Sequence, residues 1–184
     1  MSKVLILGAG LVARPMVHDL LDHDIDVTIA SRTKSKGEAM MAGYNKGRAI
    51  AWKVDQEDAL DEMVQQHDVV VSLLPYTYHP MVAKKCIAHA KPMVTTSYVK
   101  SEMKALHKQA QEAGVLLLNE IGVDPGIDHM SAMRVIDYIH QKGGKVEEFY
   151  SITGALVAPE GAKDNPFGYK FSWSPKGVVK ASKN

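Results

Sequence analysis

Gly8-Ala9-Gly10-Leu11-Val12-Ala13 has the G-x-G-x-x-A spacing that lets a chain hold a pyrophosphate on bare backbone. Each small residue has its own task. Gly8 permits a tight turn, Gly10 lets phosphate oxygens approach the main chain, and Ala13 lets a following helix pack close to the preceding strand. Phosphates then meet the unpaired N–H groups and positive dipole end of a helix beginning near Leu11. Glycines gather at any strand–helix turn, so the spacing alone is weak. Here the apolar run Val4-Leu5-Ile6-Leu7 precedes it and a helical pattern follows, which is the context a dinucleotide requires.

The cofactor's second contact falls about 20 residues further on, where an Asp or Glu would accept from a ribose 2′-hydroxyl. Ser31, Arg32 and Thr33 occupy that corner instead. A guanidinium fork and two hydroxyls suit a 2′-phosphate, and this favours NADP(H) over an exposed turn arginine without a partner. Three later apolar runs also end in polar groups: Ser72-Leu73-Leu74-Pro75-Tyr76, Thr95-Thr96-Ser97-Tyr98 and Asn119-Glu120. Ser72, Leu73 and Leu74 are expected to border the nicotinamide half of the cofactor. A further polar group is Asp124-Pro125-Gly126-Ile127-Asp128-His129. Asp128 reads as a helix cap. Asp124, held extended before Pro125, is preferred to His129 as a group facing a ligand.

Positioning these groups requires alternating strands and helices. Strands are predicted at about 3–8, 26–31, 49–54, 68–74, 92–96 and 115–119, with helices at about 11–22, 34–43, 56–66, 79–90 and 99–113. Runs such as Val69-Val70-Val71 are apolar on both faces, as in a buried parallel strand. The α/β alternation implies right-handed crossovers and a doubly wound parallel Rossmann sheet. After Glu120 the pattern changes: a turn cluster, a helix at about 127–141, a strand at about 146–156 and a Pro/Gly-rich loop to Gly168. The predicted division is a dinucleotide-binding domain over 1–122 and the start of a second α+β domain over 123–184. Its 62 residues are few for an independent core, so the second domain reads as incomplete.

Composition narrows the class. The 184 residues are 46% hydrophobic and 23% charged, as in ordinary globular chains. A balance of 22 basic against 21 acidic residues argues against a nucleic-acid or membrane-surface role. The apolar start of the chain reads as strand and turn, not as a leader, and no run approaches a membrane span. One cysteine, Cys86, allows no internal disulfide and fits a reducing cytoplasm. Eight histidines lack metal-ligand spacing, so no metal site is expected. His18, His23, His67, His89, His107 and His140 read as surface residues.

The segments 8–15, 72–76, 94–98 and 119–129 closely resemble the glutamate-forming, NADP-dependent saccharopine dehydrogenases, the saccharopine reductases. So does Asp164-Asn165-Pro166-Phe167-Gly168-Tyr169-Lys170-Phe171-Ser172-Trp173-Ser174. The resemblance implies an oxidoreductase that interconverts saccharopine with glutamate and 2-aminoadipate 6-semialdehyde through an imine. It further implies that Gly8, Gly10, Leu11, Val12 and Ala13 hold pyrophosphate and that Ser31, Arg32 and Thr33 take the adenosine phosphate. By the same carry-over Ser97, Tyr98 and Asp124 lie at the saccharopine site, with Val123, Pro125 and Ser174 also near the cofactor. Water addition and loss during imine formation call for a general acid–base group, for which Asp124 and Tyr98 are the candidates.

The family usually carries a cysteine where this chain has Thr153, and Leu-Pro where it has Leu156-Val157. Its members continue for roughly as long again, so the chain is expected to be a fragment or a shortened relative. Two other functions stay open: a carboxynorspermidine synthase-type imine reductase, and a non-catalytic NADP(H)-binding module. An exposed strand edge in the second domain would favour a homodimer.

Overall fold

A computed structural model describes residues 2–152, 157–166, 168 and 179. The chain forms two compact units, Met1–Arg134 and Val135–Asn184.

In the first unit six strands lie side by side: β1 (Lys3–Leu7), β2 (Asp26–Ser31), β3 (Arg48–Ala51), β4 (Val69–Ser72), β5 (Met93–Thr95) and β6 (Leu117–Leu118). All pairings are parallel, in the order β3-β2-β1-β4-β5-β6. The order reverses between β1 and β4, where crossovers go to opposite sides and a crevice opens beyond the strand ends. The doubly wound α/β sheet expected from the alternation is therefore the observed fold.

Helices α1 (Ala13–Asp22), α2 (Lys34–Met40), α3 (Glu57–Gln65) and α4 (His79–Ala88) join the strands, followed by the short α5 (Ser101–Lys104) and α6 (His107–Glu112). Side chains alternate across a strand, so β1 sends Leu5 and Leu7 to one face and Val4 and Ile6 to the other. Leu5 and Leu7 pack with Leu60 and Val64 of α3, Val82 and Cys86 of α4, and Met103. Val4 and Ile6 pack with Val17 and Leu21 of α1 and with Val27 and Ile29. Burial on both faces explains why these strands are continuously apolar.

Four expectations change. The helix predicted at 99–113 is interrupted, because the Leu106 amide reaches back only three residues to the Met103 carbonyl at 3.1 Å and the last turn tightens. Residues 145–152 form no strand among the described residues, and residues 153–156 lie outside them. His67 is buried, not exposed: its Nε2 lies 2.7 Å from Thr28 Oγ1 and its Nδ1 2.6 Å from the Met63 carbonyl. His89, read as a surface residue, is half-buried and bonds Asp61 at 2.9 Å.

Beyond β6, α7 (Ile127–Gln141) follows the turn at Gly122–Gly126. No helix among the described residues is long and apolar enough to cross a membrane.

Candidate functional site

Parallel pairing puts every strand's carboxyl end on one edge. Leu7 lies beside Ala30 on one side and Ser72 on the other, and Ser72 beside Thr95. The turn after β1, the corner after β2 and the polar ends of β4 and β5 consequently share that edge.

The glycine turn is fixed by main-chain bonds. The Gly8 amide donates to the Ala30 carbonyl and the Leu73 amide to the Leu7 carbonyl, each at 2.9 Å. Gly8 adopts φ +115°, and a Cβ there would stand 3.2 Å from the Leu73 carbonyl oxygen. Only glycine holds that turn without strain. At Gly10 a Cβ would meet nothing within 4 Å. The space above it is open, bordered by Leu11 and Val12, which are 84% and 62% exposed. The Ala13 amide turns back to the Gly10 carbonyl at 3.3 Å, and among the described residues none accepts from the Leu11 or Val12 amide. An open cradle with unengaged amides at a helix start fits a dinucleotide pyrophosphate.

At the next corner Ser31 Oγ donates to the Thr33 carbonyl at 3.0 Å, shaping the turn that presents Arg32. Arg32 is exposed and, among the described residues, pairs with no carboxylate. A guanidinium so placed fits a phosphate.

On the other side of the switch point Tyr98 Oη donates to Asp124 Oδ1 at 2.9 Å, so the structure brings together these two candidates. The Asp124 carboxylate, accepting that bond, raises the Tyr98 phenol above its usual range. The phenol therefore stays protonated at neutral pH. Glu120 Oε1 accepts from the Val99 amide at 3.0 Å and ties the segment after β6 to the one after β5. Gly122 and Gly126 close the loop that carries Asp124: the Gly122 amide donates to the Pro125 carbonyl at 2.8 Å, and the Asp124–Pro125 bond is cis. Asp128 lies in the first turn of α7 and accepts from the amide of Gly126, the residue just before the helix, at 2.9 Å. His129, whose Nδ1 lies 2.8 Å from Asp128 Oδ1, holds that carboxyl below its ordinary range and is itself raised. Val123 is exposed and Pro125 buried within the same loop. Ser174 and Thr153 lie outside the described residues.

The sequence reading missed His79. It opens α4, is fully buried, and touches three hydroxyls at 2.9 Å: Ser72 on Nδ1, and Thr95 and Ser97 on Nε2. Burial lowers its pKa to about 4, so the ring is neutral. Its signal was positional, since a His at the start of the helix leaving β4 falls on the functional edge.

Residues 4–118 match the model of the saccharopine dehydrogenase NADP binding domain, and residues 122–184 that of the saccharopine dehydrogenase C-terminal domain. The chain belongs to the saccharopine dehydrogenase family. It is 47% identical over 185 residues to saccharopine dehydrogenase [NADP(+), L-glutamate-forming] of Schizosaccharomyces pombe, covering 100% of this chain and 41% of that protein. To mitochondrial alpha-aminoadipic semialdehyde synthase of Bos taurus it is 44% identical over 179 residues, covering 97% of this chain and 19% of the other. The apo structure of the Saccharomyces cerevisiae saccharopine dehydrogenase (L-Glu forming) superposes with a TM-score of 0.86 at 44% identity. That superposition covers 97% of this chain and 40% of the yeast chain. The chain thus spans about two fifths of the saccharopine dehydrogenases it matches.

Proposed function

We propose that this chain carries the NADP(H) site and part of the substrate site of an enzyme that interconverts saccharopine with glutamate and 2-aminoadipate 6-semialdehyde. The observation carrying this reading is the Tyr98–Asp124 pair, 2.9 Å apart beyond the ends of β5 and β6, in a chain of the saccharopine dehydrogenase family. Bound NADPH supplies the hydride for reduction of a substrate imine, or NADP+ accepts it in the reverse direction.

The chain's own residues have three tasks. Gly8, Gly10, Leu11, Val12 and Ala13 receive the pyrophosphate, while Ser31, Arg32 and Thr33 receive the adenosine phosphate. Ser72, Leu73 and Leu74 line the nicotinamide half, with Val123 and Pro125 near the cofactor, and the contact expected at Ser174 lies outside the described residues. Ser97, Tyr98 and Asp124 bind substrate, and the last two also manage its proton. A phenol held protonated against a carboxylate forms a donor–acceptor pair. Tyr98 Oη offers a proton and Asp124 receives one, as loss or addition of water at the imine carbon, with proton transfer at its oxygen and at the nitrogen, requires.

The domain division at 122/123 belongs to this proposal. So does a reducing, cytoplasmic setting, which the single buried thiol Cys86 supports. A homodimer is part of the same reading, tested by sedimentation of the chain.

Calorimetric titration with NADPH and NADH, then with saccharopine on the NADPH complex, tests the core of the proposal. Binding of NADPH in preference to NADH, followed by binding of saccharopine, is the expected result. A chain that takes up neither nucleotide overturns the reading, and one that takes up NADPH but no saccharopine reduces it to a nucleotide-binding module.

A further inference from the structure

His79 joins three hydroxyls from consecutive parts of the functional edge. Ser72 ends β4, Thr95 ends β5, and Ser97 lies two residues beyond. Ser72 and Thr95 are buried; Ser97 is half-buried and opens toward solvent. A neutral imidazole has one N–H and one bare nitrogen, so its two tautomers divide these contacts differently. With the proton on Nδ1, bare Nε2 has one lone pair for two neighbouring hydroxyls and can accept from only one. With the proton on Nε2, that N–H can be shared between Thr95 Oγ1 and Ser97 Oγ as a three-centre bond. Nδ1 then accepts from Ser72, whose hydroxyl has no other hydrogen-bond partner among the described residues. Only the second arrangement uses all three contacts of 2.9 Å.

We propose that His79 is a positioning residue which, by donating from Nε2 to Ser97 Oγ, leaves the Ser97 O–H free to donate to a carboxylate or carbonyl oxygen of the bound substrate. The proposal rests on the reading that the Ser97–Tyr98 edge takes saccharopine. It adds a polarity to that edge: with one lone pair engaged by the His79 N–H, the Ser97 O–H is not needed as a donor to the ring and is free to point at the ligand. The Ser97 amide, 3.4 Å from Thr95 Oγ1, fixes the backbone on the same side. A substrate rich in carboxylate oxygens meets such a donor well.

Two measurements on the 184-residue chain test it. Long-range proton–nitrogen correlation of histidine-labelled, ligand-free chain reads the tautomer directly. A proton on Nε2 of His79 is expected, and one on Nδ1 overturns the proposal. Saccharopine is then titrated onto the NADPH complexes of wild type, His79→Gln and His79→Leu. The Gln amide can present an N–H near the Nε2 position, whereas Leu cannot. Saccharopine affinity is expected to fall about tenfold or more in His79→Leu and to stay within about threefold in His79→Gln. NADPH affinity is expected to fall less than saccharopine affinity in both, since the phosphate contacts lie away from His79 and only Ser72 links it to the nicotinamide half.

Equal saccharopine binding by wild type and His79→Leu would overturn the proposal. Should His79→Leu fail to fold, His79→Asn replaces it, keeping the acceptor for Ser72 but too short to reach Ser97. If wild type binds NADPH but no saccharopine, the functional reading fails and the substrate contact of Ser97 falls with it, whereas a proton on Nδ1 overturns the His79 proposal by itself.

Discussion

Arg32 stands at the corner where an NAD-specific site would place a carboxylate, and it is exposed with no acidic partner among the described residues. Replacing it with Asp removes the guanidinium fork and repels a 2′-phosphate. NADPH affinity in Arg32→Asp is expected to fall about 10- to 100-fold while NADH affinity changes little, as measured by calorimetry. His79 makes a second residue-scale prediction, through pH. Burial lowers its folded pKa from 6.5 to about 4, so between those values the unfolded chain binds a proton that the folded chain refuses. Stability is then fully present above pH 6.5 and is lost as pH falls toward about 4, by on the order of 3 kcal/mol from this ring. His67, also lowered chiefly by burial, acts in the same direction. Urea unfolding across this range should show a shallower loss in His79→Gln than in wild type.

At the scale of elements, two turns separate structural from functional glycine. Gly10 lies outside the left-handed region, and a Cβ there meets nothing within 4 Å. Gly10→Ala is therefore expected to leave stability within about 0.5 kcal/mol of wild type. Its added methyl would occupy the proposed pyrophosphate cradle, so NADPH affinity should fall about tenfold or more. Gly126 is the opposite case. At φ +147° its Cβ would stand 2.2 Å from the Gly122 carbonyl oxygen, inside the loop that carries Asp124. Gly126→Ala is expected to cost about 2–4 kcal/mol, read by urea unfolding, and to displace Asp124 from Tyr98. The elements themselves were largely legible because parallel strands covered on both faces are apolar over most of their length, as in Val69–Val71 of β4. Helix α7 appeared at its predicted bounds, set off by Gly126 before it and Gly143 after it. The break between α5 and α6 was not legible, since a single three-residue back-bond leaves the apolar pattern of 99–113 unchanged.

Across the whole molecule, the hydrophobic core of the described residues runs from Val4 to Val115 and belongs to the first compact unit. Shortening the chain to residues 1–143 is expected to preserve its urea midpoint and to keep NADPH affinity within about threefold. A large loss of either would place essential contacts in the second unit. Local sequence determined what local physics can encode. G-x-G-x-x-A specifies a turn, the absence of an acid at 31–33 carries the proposed preference for a 2′-phosphate, and alternating apolar runs specify the sheet. Only the tertiary structure decided which distant groups meet. Tyr98 and Asp124 are 26 positions apart and become partners because parallel strands end on one edge. His79 looked like any helix-opening histidine until β4 and β5 brought Ser72, Thr95 and Ser97 around its ring. His67 was likewise read as exposed, because burial depends on chain passing overhead from far away in sequence, and no local pattern records that.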